Sequence, residues 1–121
     1  MKMKSDGIDL IADLNNIANQ LQEELNTLEE RGYRKARSER EYKVIARQKA
    51  LEEKNAGVSV TFISQFIAGE PEVANAKETR DVEEALYYTS QEKINVLKLQ
   101  LRIIDKQIDR EWSNGGNNFS S

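Results

Sequence analysis

The sequence predicts an all-α fold, in which two long helices form an antiparallel, coiled-coil-like hairpin with a short helix at its tip. Three observations support this prediction. Apolar residues recur at steps of three and four in two long segments, no Gly or Pro interrupts residues 72–112, and the two segments carry complementary charges. We expect one helical-hairpin domain over residues 1–112, with helices at about 8–55, 61–68 and 71–112 and a disordered tail at 113–121.

The first predicted helix follows a capping residue, Ser5 or Asp6, and carries Asp9 in its first turn, where a carboxylate is favoured by the helix dipole. Its apolar stripe consists of Leu10, Leu14, Ile17, Leu21, Leu25 and Leu28. The stripe weakens near Gly32 and resumes at Tyr42, so either one helix continues through Gly32 or two helices meet there. Because a Gly inside a helix costs only about 1 kcal/mol relative to Ala, we favour one continuous helix.

A glycine, Gly57, marks the end of this helix, because helices commonly stop at Gly. The next segment, VSVTFISQFIAG, is rich in β-branched and aromatic residues and could form a strand, but no other segment would pair with it. We therefore predict a short helix at 61–68, capped by Ser59 or Thr61 and ended by Gly69. Its apolar face consists of Phe62, Ile63, Phe66 and Ile67.

Pro71 suits the first turn of the last helix, where its missing N–H would have no partner. The main apolar stripe of this helix consists of Ile94, Leu97, Leu101, Ile104, Ile108 and Trp112. Matching the two stripes in antiparallel order predicts that Leu14 faces Trp112, that Leu25 faces Leu101, and that Glu39 faces Leu86 and Tyr87. The same register places Lys43 opposite Val82.

The charges favour the antiparallel arrangement independently. Residues 6–30 contain seven acidic and no basic side chains, and their partner segment 93–110 is mainly basic. Residues 31–49 contain eight basic side chains, whereas residues 70–92 contain seven acidic ones. An antiparallel hairpin sets opposite charges against each other, and a parallel one would set like charges against each other.

The composition narrows the classes of function. The chain has no Cys and no His, which excludes thiolate and imidazole metal sites and Ser–His relays. There is no Gly-rich phosphate loop, and adjacent glutamates such as Glu23 and Glu24 diverge by about 100° on a helix. We predict a non-enzymatic protein without a cofactor or metal. We find no signal peptide and no apolar run of membrane-spanning length, so we expect a soluble, cytoplasmic protein.

The last helix carries a second apolar face, about 150° around from its main stripe. This face consists of Tyr88, Val96, Leu99 and Ile103, with Ala85 extending it. Either the short helix or the tail covers it locally, or two hairpins associate as a four-helix bundle. We favour a homodimer, and we expect this face and the short helix to bind a protein partner.

A basic run in the first helix is the best candidate for contact with nucleic acid. It consists of Arg31, Arg34, Lys35, Arg37, Arg40, Lys43, Arg47 and Lys49, with Tyr33 and Tyr42 interleaved. Cations could follow a phosphate backbone while tyrosines stack on bases. The same basic side chains could instead pair with the acidic segment 70–92, and we favour this interpretation. Nucleic-acid binding is therefore the alternative function.

The phrases ERGY, SEREYKV and INVLKLQLRIID, within residues 8–112, resemble a family of small helical proteins from temperate phages and prophages of Gram-positive bacteria. The resemblance implies a cytoplasmic setting in a bacterial host and an accessory role without catalysis. It supplies no functional residues.

Overall fold

A computed structural model describes residues 7–120, with side chains over residues 9–114. It contains three helices: α1 (Gly7–Asn55), α2 (Val60–Ala68) and α3 (Pro71–Ser120). The described chain contains no strand. The predicted fold class is confirmed, because the chain is all-α and α1 and α3 pack against each other as a helical hairpin. The candidate capping residues Ser5 and Asp6 lie outside the described residues.

The first helix, α1, passes through Gly32 without a break, so two shorter helices are not observed. It ends in a Schellman motif. The N–H of Gly57 donates to the carbonyl of Lys54 at 3.1 Å, and the N–H of Val58 donates to the carbonyl of Glu53 at 3.0 Å. Gly57 has a φ of 92°, a conformation that residues with a Cβ rarely adopt. This glycine therefore allows the chain to leave α1.

The short segment after Gly57 is helical, not extended, as the absence of a partner strand led us to expect. Its N-cap is Ser59, whose backbone is extended and whose carbonyl accepts a hydrogen bond from the N–H of Phe62 at 2.9 Å. The Ser59 side chain makes no capping hydrogen bond. Gly69 follows the last helical residue.

The third helix, α3, begins at Pro71 and reaches Ser120. It is longer than expected, because we placed its end at Trp112. Residues 113–120 contain no Pro, and a helical Gly costs only about 1 kcal/mol, so this stretch has no residue that stops a helix outright. The disorder of residues 113–121 stays a prediction.

The chain divides into two compact units. The terminal unit comprises residues 7–27 and 90–120, and the central unit comprises residues 28–89, including α2. Among the described residues, no helix is long and apolar enough to cross a membrane. Five described side chains are buried: Leu10, Ser38, Val73, Ser90 and Ile94.

In the terminal unit, the positions that lose most contact with water recur at alternating steps of three and four residues, as in a coiled coil. On α1 they are Leu10, Leu14, Ile17, Leu21 and Glu24, and on α3 they are Ser90, Ile94, Leu97, Leu101, Ile104 and Ile108. Leu25 and Trp112, which we placed on the buried stripes, are instead 41% and 71% exposed. Those placements are wrong, because each follows one four-residue step with another. The alternating coiled-coil repeat requires a three-residue step at that point.

The central unit shows the actual register of its two helices. The ring of Tyr87 lies against Gly32 and Lys35, where we had placed it opposite Glu39. Likewise, Tyr42 contacts Arg80. The predicted register is wrong here by about one helical turn. Its physical basis was faulty, since it matched the stripes through Leu25 and Trp112, which are both exposed.

Polar groups occupy much of the contact between the helices in the central unit. The guanidinium of Arg80 lies 4.5 Å from the centre of the Tyr42 ring, and the Nζ of Lys35 lies 5.9 Å from the centre of the Tyr87 ring. Lys49 Nζ lies 3.7 Å from a carboxylate oxygen of Glu72. This ion pair joins the basic segment of α1 to the acidic segment of α3, as the charge pattern predicted.

Candidate interaction surfaces

The terminal unit carries an exposed apolar face on α3, formed by Val96, Leu99 and Ile103. These side chains are 46%, 50% and 50% exposed, whereas Ile94 on the same helix is 4% exposed. The difference follows from the helical repeat: steps of three and four link the three residues to one another, and together they point away from the positions that meet α1. We call these three residues the α3 face.

Charged side chains stand at both ends of the α3 face. Glu92 precedes Val96 by one turn, and Lys106 and Arg110 follow Ile103 at steps of three and four. All three charged residues are exposed. Within the described part of the chain, no ion pair involves Glu92, Lys106 or Arg110. The face therefore has an acidic end, an apolar middle and a basic end.

A second exposed apolar strip lies on α1 in the terminal unit. Ile11 and Leu25 are exposed, and Ala18 lies midway between them. Their seven-residue spacing puts them on one side of the helix, next to the buried stripe. This strip was not predicted, because Leu25 was assigned to the core, although the seven-residue spacing of Ile11, Ala18 and Leu25 is visible in the sequence.

The apolar residues of α2 divide into two pairs. Phe62 and Phe66 are more than half exposed, whereas Ile63 and Ile67 are half-buried. Each pair is spaced by four residues, so the two pairs lie on neighbouring sides of the short helix. The predicted single face of four residues is therefore split. The exposed part is aromatic, and α2 contains no charged side chain.

Tyr88, the remaining predicted contact residue, belongs to the central unit. Its ring is about half exposed and packs edge-to-face on Tyr87, with centroids 5.5 Å apart and an interplanar angle of 71°. Such a pair is a normal aromatic contact within a protein. It holds the inner edge of Tyr88 in place and leaves the rest of the ring open to solvent.

Part of the predicted basic run is occupied by contacts within the protein. Arg34 lies 2.8 Å from Glu30, and Lys35 donates a hydrogen bond to Glu39 at 3.2 Å. The hydrogen bond to Glu39 raises the pKa of Lys35 above the usual lysine value. Arg31 is half-buried. The contacts of Arg34 and Lys35 support the interpretation in which the basic side chains pair with acidic side chains of the same protein.

Lys49 is half-buried and paired with Glu52 and Glu72, whereas Arg37, Arg40, Lys43 and Arg47 are exposed. Three of them lie on one outward side of α1, at steps of three and four, and Lys54 continues the series two turns later. We call Arg40, Lys43, Arg47 and Lys54 the cationic stripe. None of the four takes part in an ion pair within the described residues, and the exposed Tyr33 lies on the same side. The basic run predicted from the sequence combined three of these cations with the paired ones.

The central unit also has a cleft of about 330 Å³. It is lined by Ser38, Glu41, Ile45, Glu72, Asn75, Ala76 and Thr79. The hydroxyls of Ser38 and Thr79 donate to backbone carbonyls of their own helices. Neither hydroxyl is directed at a base, so the cleft does not present an activated nucleophile. The described residues contain no group of acidic side chains that could hold a metal ion.

Comparison of the chain with protein-family models, with curated proteins and with solved structures gave no match.

Proposed function

We propose that this protein acts by helix–helix association with other protein surfaces and not by catalysis. The single observation that carries the proposal is the α3 face, where Val96, Leu99 and Ile103 are each about half exposed on one side of a helix. Contiguous exposed apolar residues bordered by charges are typical of a surface that binds a partner. Docking of another helix would remove this face from water.

The scarcity of buried side chains supports the same proposal. Of the described side chains, only Leu10, Val73 and Ile94 are buried apolar residues, and none is completely enclosed. A pair of helices has too few neighbours to enclose a core, so association with a second copy would bury apolar surface, such as the α3 face, that one hairpin leaves in water. Self-association into a homodimer is therefore our preferred form of the interaction.

The biological setting is part of the proposal and rests on the phrases within residues 8–112 that resemble phage and prophage proteins. A small accessory or scaffold protein in the cytoplasm of a bacterial host would use a surface of this kind to join or brace an assembly. Helix-in-groove binding or completion of a helical bundle would be the mechanism. The exposed aromatic residues of α2, Phe62 and Phe66, offer a further contact for such a protein partner.

The mass of the protein in solution tests the proposal. We expect a dimer at micromolar concentrations by sedimentation equilibrium, and we expect Leu99→Glu to shift the population to monomer. Gln100→Glu is the matched control, because it adds the same charge at the neighbouring exposed position beside the face. A wild-type monomer at high micromolar concentration would contradict self-association. A dimer that survives Leu99→Glu would show that a different surface associates.

One observation favours a second function, the binding of nucleic acid. The cationic stripe presents four unpaired cations on one outward side of α1, with Tyr33 73% exposed on the same side. Cations spaced along a helix can contact successive phosphates, and an exposed aromatic ring can stack on a base. This arrangement is more favourable for binding than the scattered basic run that the sequence suggested.

Salt-dependent DNA binding tests this second function. We expect the triple variant Arg40→Glu, Lys43→Glu and Arg47→Glu to bind single-stranded DNA more weakly. If each cation contacts one phosphate, the slope of log K against log salt should fall by about 2. Arg34→Glu is the control, since Arg34 is already paired with Glu30. Absence of binding by the wild type at low salt would contradict this function.

A further inference from the structure

We infer that the α3 face binds the α3 face of a second copy, with the two helices antiparallel and a two-fold axis passing near Leu99. This inference rests on the proposed self-association and adds the partner's identity and orientation. A two-fold interface uses the same surface on both copies, so that surface must be complementary to itself. The α3 face meets this condition in one orientation only.

The charges at the two ends of the face decide the orientation. Glu92 lies seven residues before Leu99, and Lys106 lies seven residues after it. If the helices are antiparallel about Leu99, Glu92 of each copy lies next to Lys106 of the other. If the helices are parallel and in register, Glu92 meets Glu92, and Lys106 and Arg110 meet their own counterparts. Like charges across an interface disfavour the parallel arrangement.

The apolar residues fit the same arrangement. Val96 lies three residues before Leu99, and Ile103 lies four residues after it. In the antiparallel dimer, the smaller Val96 of one copy therefore packs beside the larger Ile103 of the other, while the two Leu99 side chains meet at the axis. Alternation of larger and smaller side chains across an interface allows close packing of two helices. Exposed charges then border an apolar centre, as in other protein interfaces.

Disulfide trapping tests the orientation, because the native chain has no Cys. Val96→Cys and Ile103→Cys are prepared separately and then mixed under mild oxidation. In an antiparallel dimer, two copies of Ile103→Cys hold their Cys about 12 Å apart along the axis, too far for a disulfide. The mixture should therefore give the disulfide between the two different variants. Leu99→Cys is the positive control, because the two Leu99 positions meet at the two-fold axis of the proposed dimer.

The outcomes separate this inference from the proposed function. Disulfides formed mainly within each single variant would show parallel helices, which overturns the inference and leaves self-association intact. No trapping by Leu99→Cys, together with a monomeric wild type, would overturn both. A dimer that traps neither Leu99→Cys nor the mixture would place the interface elsewhere and also overturn the inference.

Charge exchange gives an independent readout without Cys. Glu92→Lys and Lys106→Glu should each raise the dimer dissociation constant by roughly three- to tenfold, because each creates two repulsive contacts in the dimer. The double variant should return to within about twofold of the wild type, since opposite charges again face each other. In a parallel dimer the double variant still opposes like charges. Failure of the double variant to recover association would therefore contradict the antiparallel geometry.

Discussion

Replacement of Glu24 by leucine is expected to stabilise the protein. Glu24 occupies a coiled-coil contact position of α1 in the terminal unit, in series with Leu14, Ile17 and Leu21. The side chain is half-buried, and its buried oxygen Oε1 accepts no hydrogen bond from the described residues. A buried acceptor without a partner destabilises the folded state, because it loses its contacts with water and gains none in return.

The size of the effect can be worked out from two contributions. An unsatisfied buried acceptor costs about 1–3 kcal/mol, and we take about 1 because the rest of the carboxylate reaches solvent. A fully buried leucine contributes about 1.5–3 kcal/mol, and we take about 1 for a half-buried position. Glu and Leu have similar helix propensities, so the backbone adds little. We expect Glu24→Leu to raise the free energy of unfolding by about 2 kcal/mol.

Urea unfolding followed by circular dichroism measures this change, at one protein concentration for every variant. A gain of this size should move the midpoint upward by about 1 M and the Tm by about 8 °C. Glu23→Leu is the control: it makes the same chemical change at the adjacent, exposed position and should alter stability by less than about 0.5 kcal/mol. Equal midpoints for Glu24→Leu and Glu23→Leu would refute the reasoning, because Glu24 would then have no special burial.

Three other predictions concern the central unit. Gly32→Ala should stabilise by about 0.5–1 kcal/mol in urea unfolding, because Ala is the better helix former and its Cβ would meet the nearest ring atom at an ordinary distance of 3.5 Å. In a double-mutant cycle of Tyr42→Leu and Arg80→Gln, the coupling free energy should be about 0.5–1 kcal/mol, and Tyr42→Phe should retain it. The hydrogen bond to Glu52 and the charge of Glu72 raise the pKa of Lys49 above the usual lysine value, so the stability lost in Lys49→Met should be constant from neutral pH up to the usual lysine value of about 10.4 and should vanish as the pH rises through the raised pKa.

Each of these three predictions has an outcome that would contradict it. A less stable Gly32→Ala would mean that the helices cannot accept even one methyl group there. A coupling near zero would mean that the guanidinium of Arg80 gains nothing from its place over the ring of Tyr42. A stability difference for Lys49→Met that persists at the most alkaline pH would mean that Lys49 acts through packing and not through its charge.

The sequence predicts the end of α1 and the start of α3 well because these boundaries depend on local chemistry. Gly57 and Pro71 act within a turn of the positions that they occupy, and the phase of the apolar residues is visible over many turns. The outward position of Val96, Leu99 and Ile103 is equally local, since it follows from their spacing relative to the buried stripe.

The contacts between helices could not be predicted in the same way. Glu24 and Leu25 are adjacent, and hydrophobicity alone predicts that Leu25 is the buried one. In the structure Leu25 is exposed and Glu24 takes the contact position. The repeat of a helix pair, about 3.5 residues, decides it, and this repeat is a property of two helices packed together. Likewise, the ring of Tyr87 lies against Gly32 because glycine, which has no side chain, leaves space for it.

The chemistry of α2 has a consequence for the unfolded protein. Residues 58–68 contain no charge, no Pro and no Gly, and they are rich in β-branched and aromatic residues. As a helix, this segment satisfies its own backbone hydrogen bonds. In an unfolded chain the same composition is typical of segments that stack into intermolecular β-sheets. Heating at high protein concentration should therefore end in aggregation that starts from this segment, and Phe62→Lys should delay its onset more than it changes the Tm.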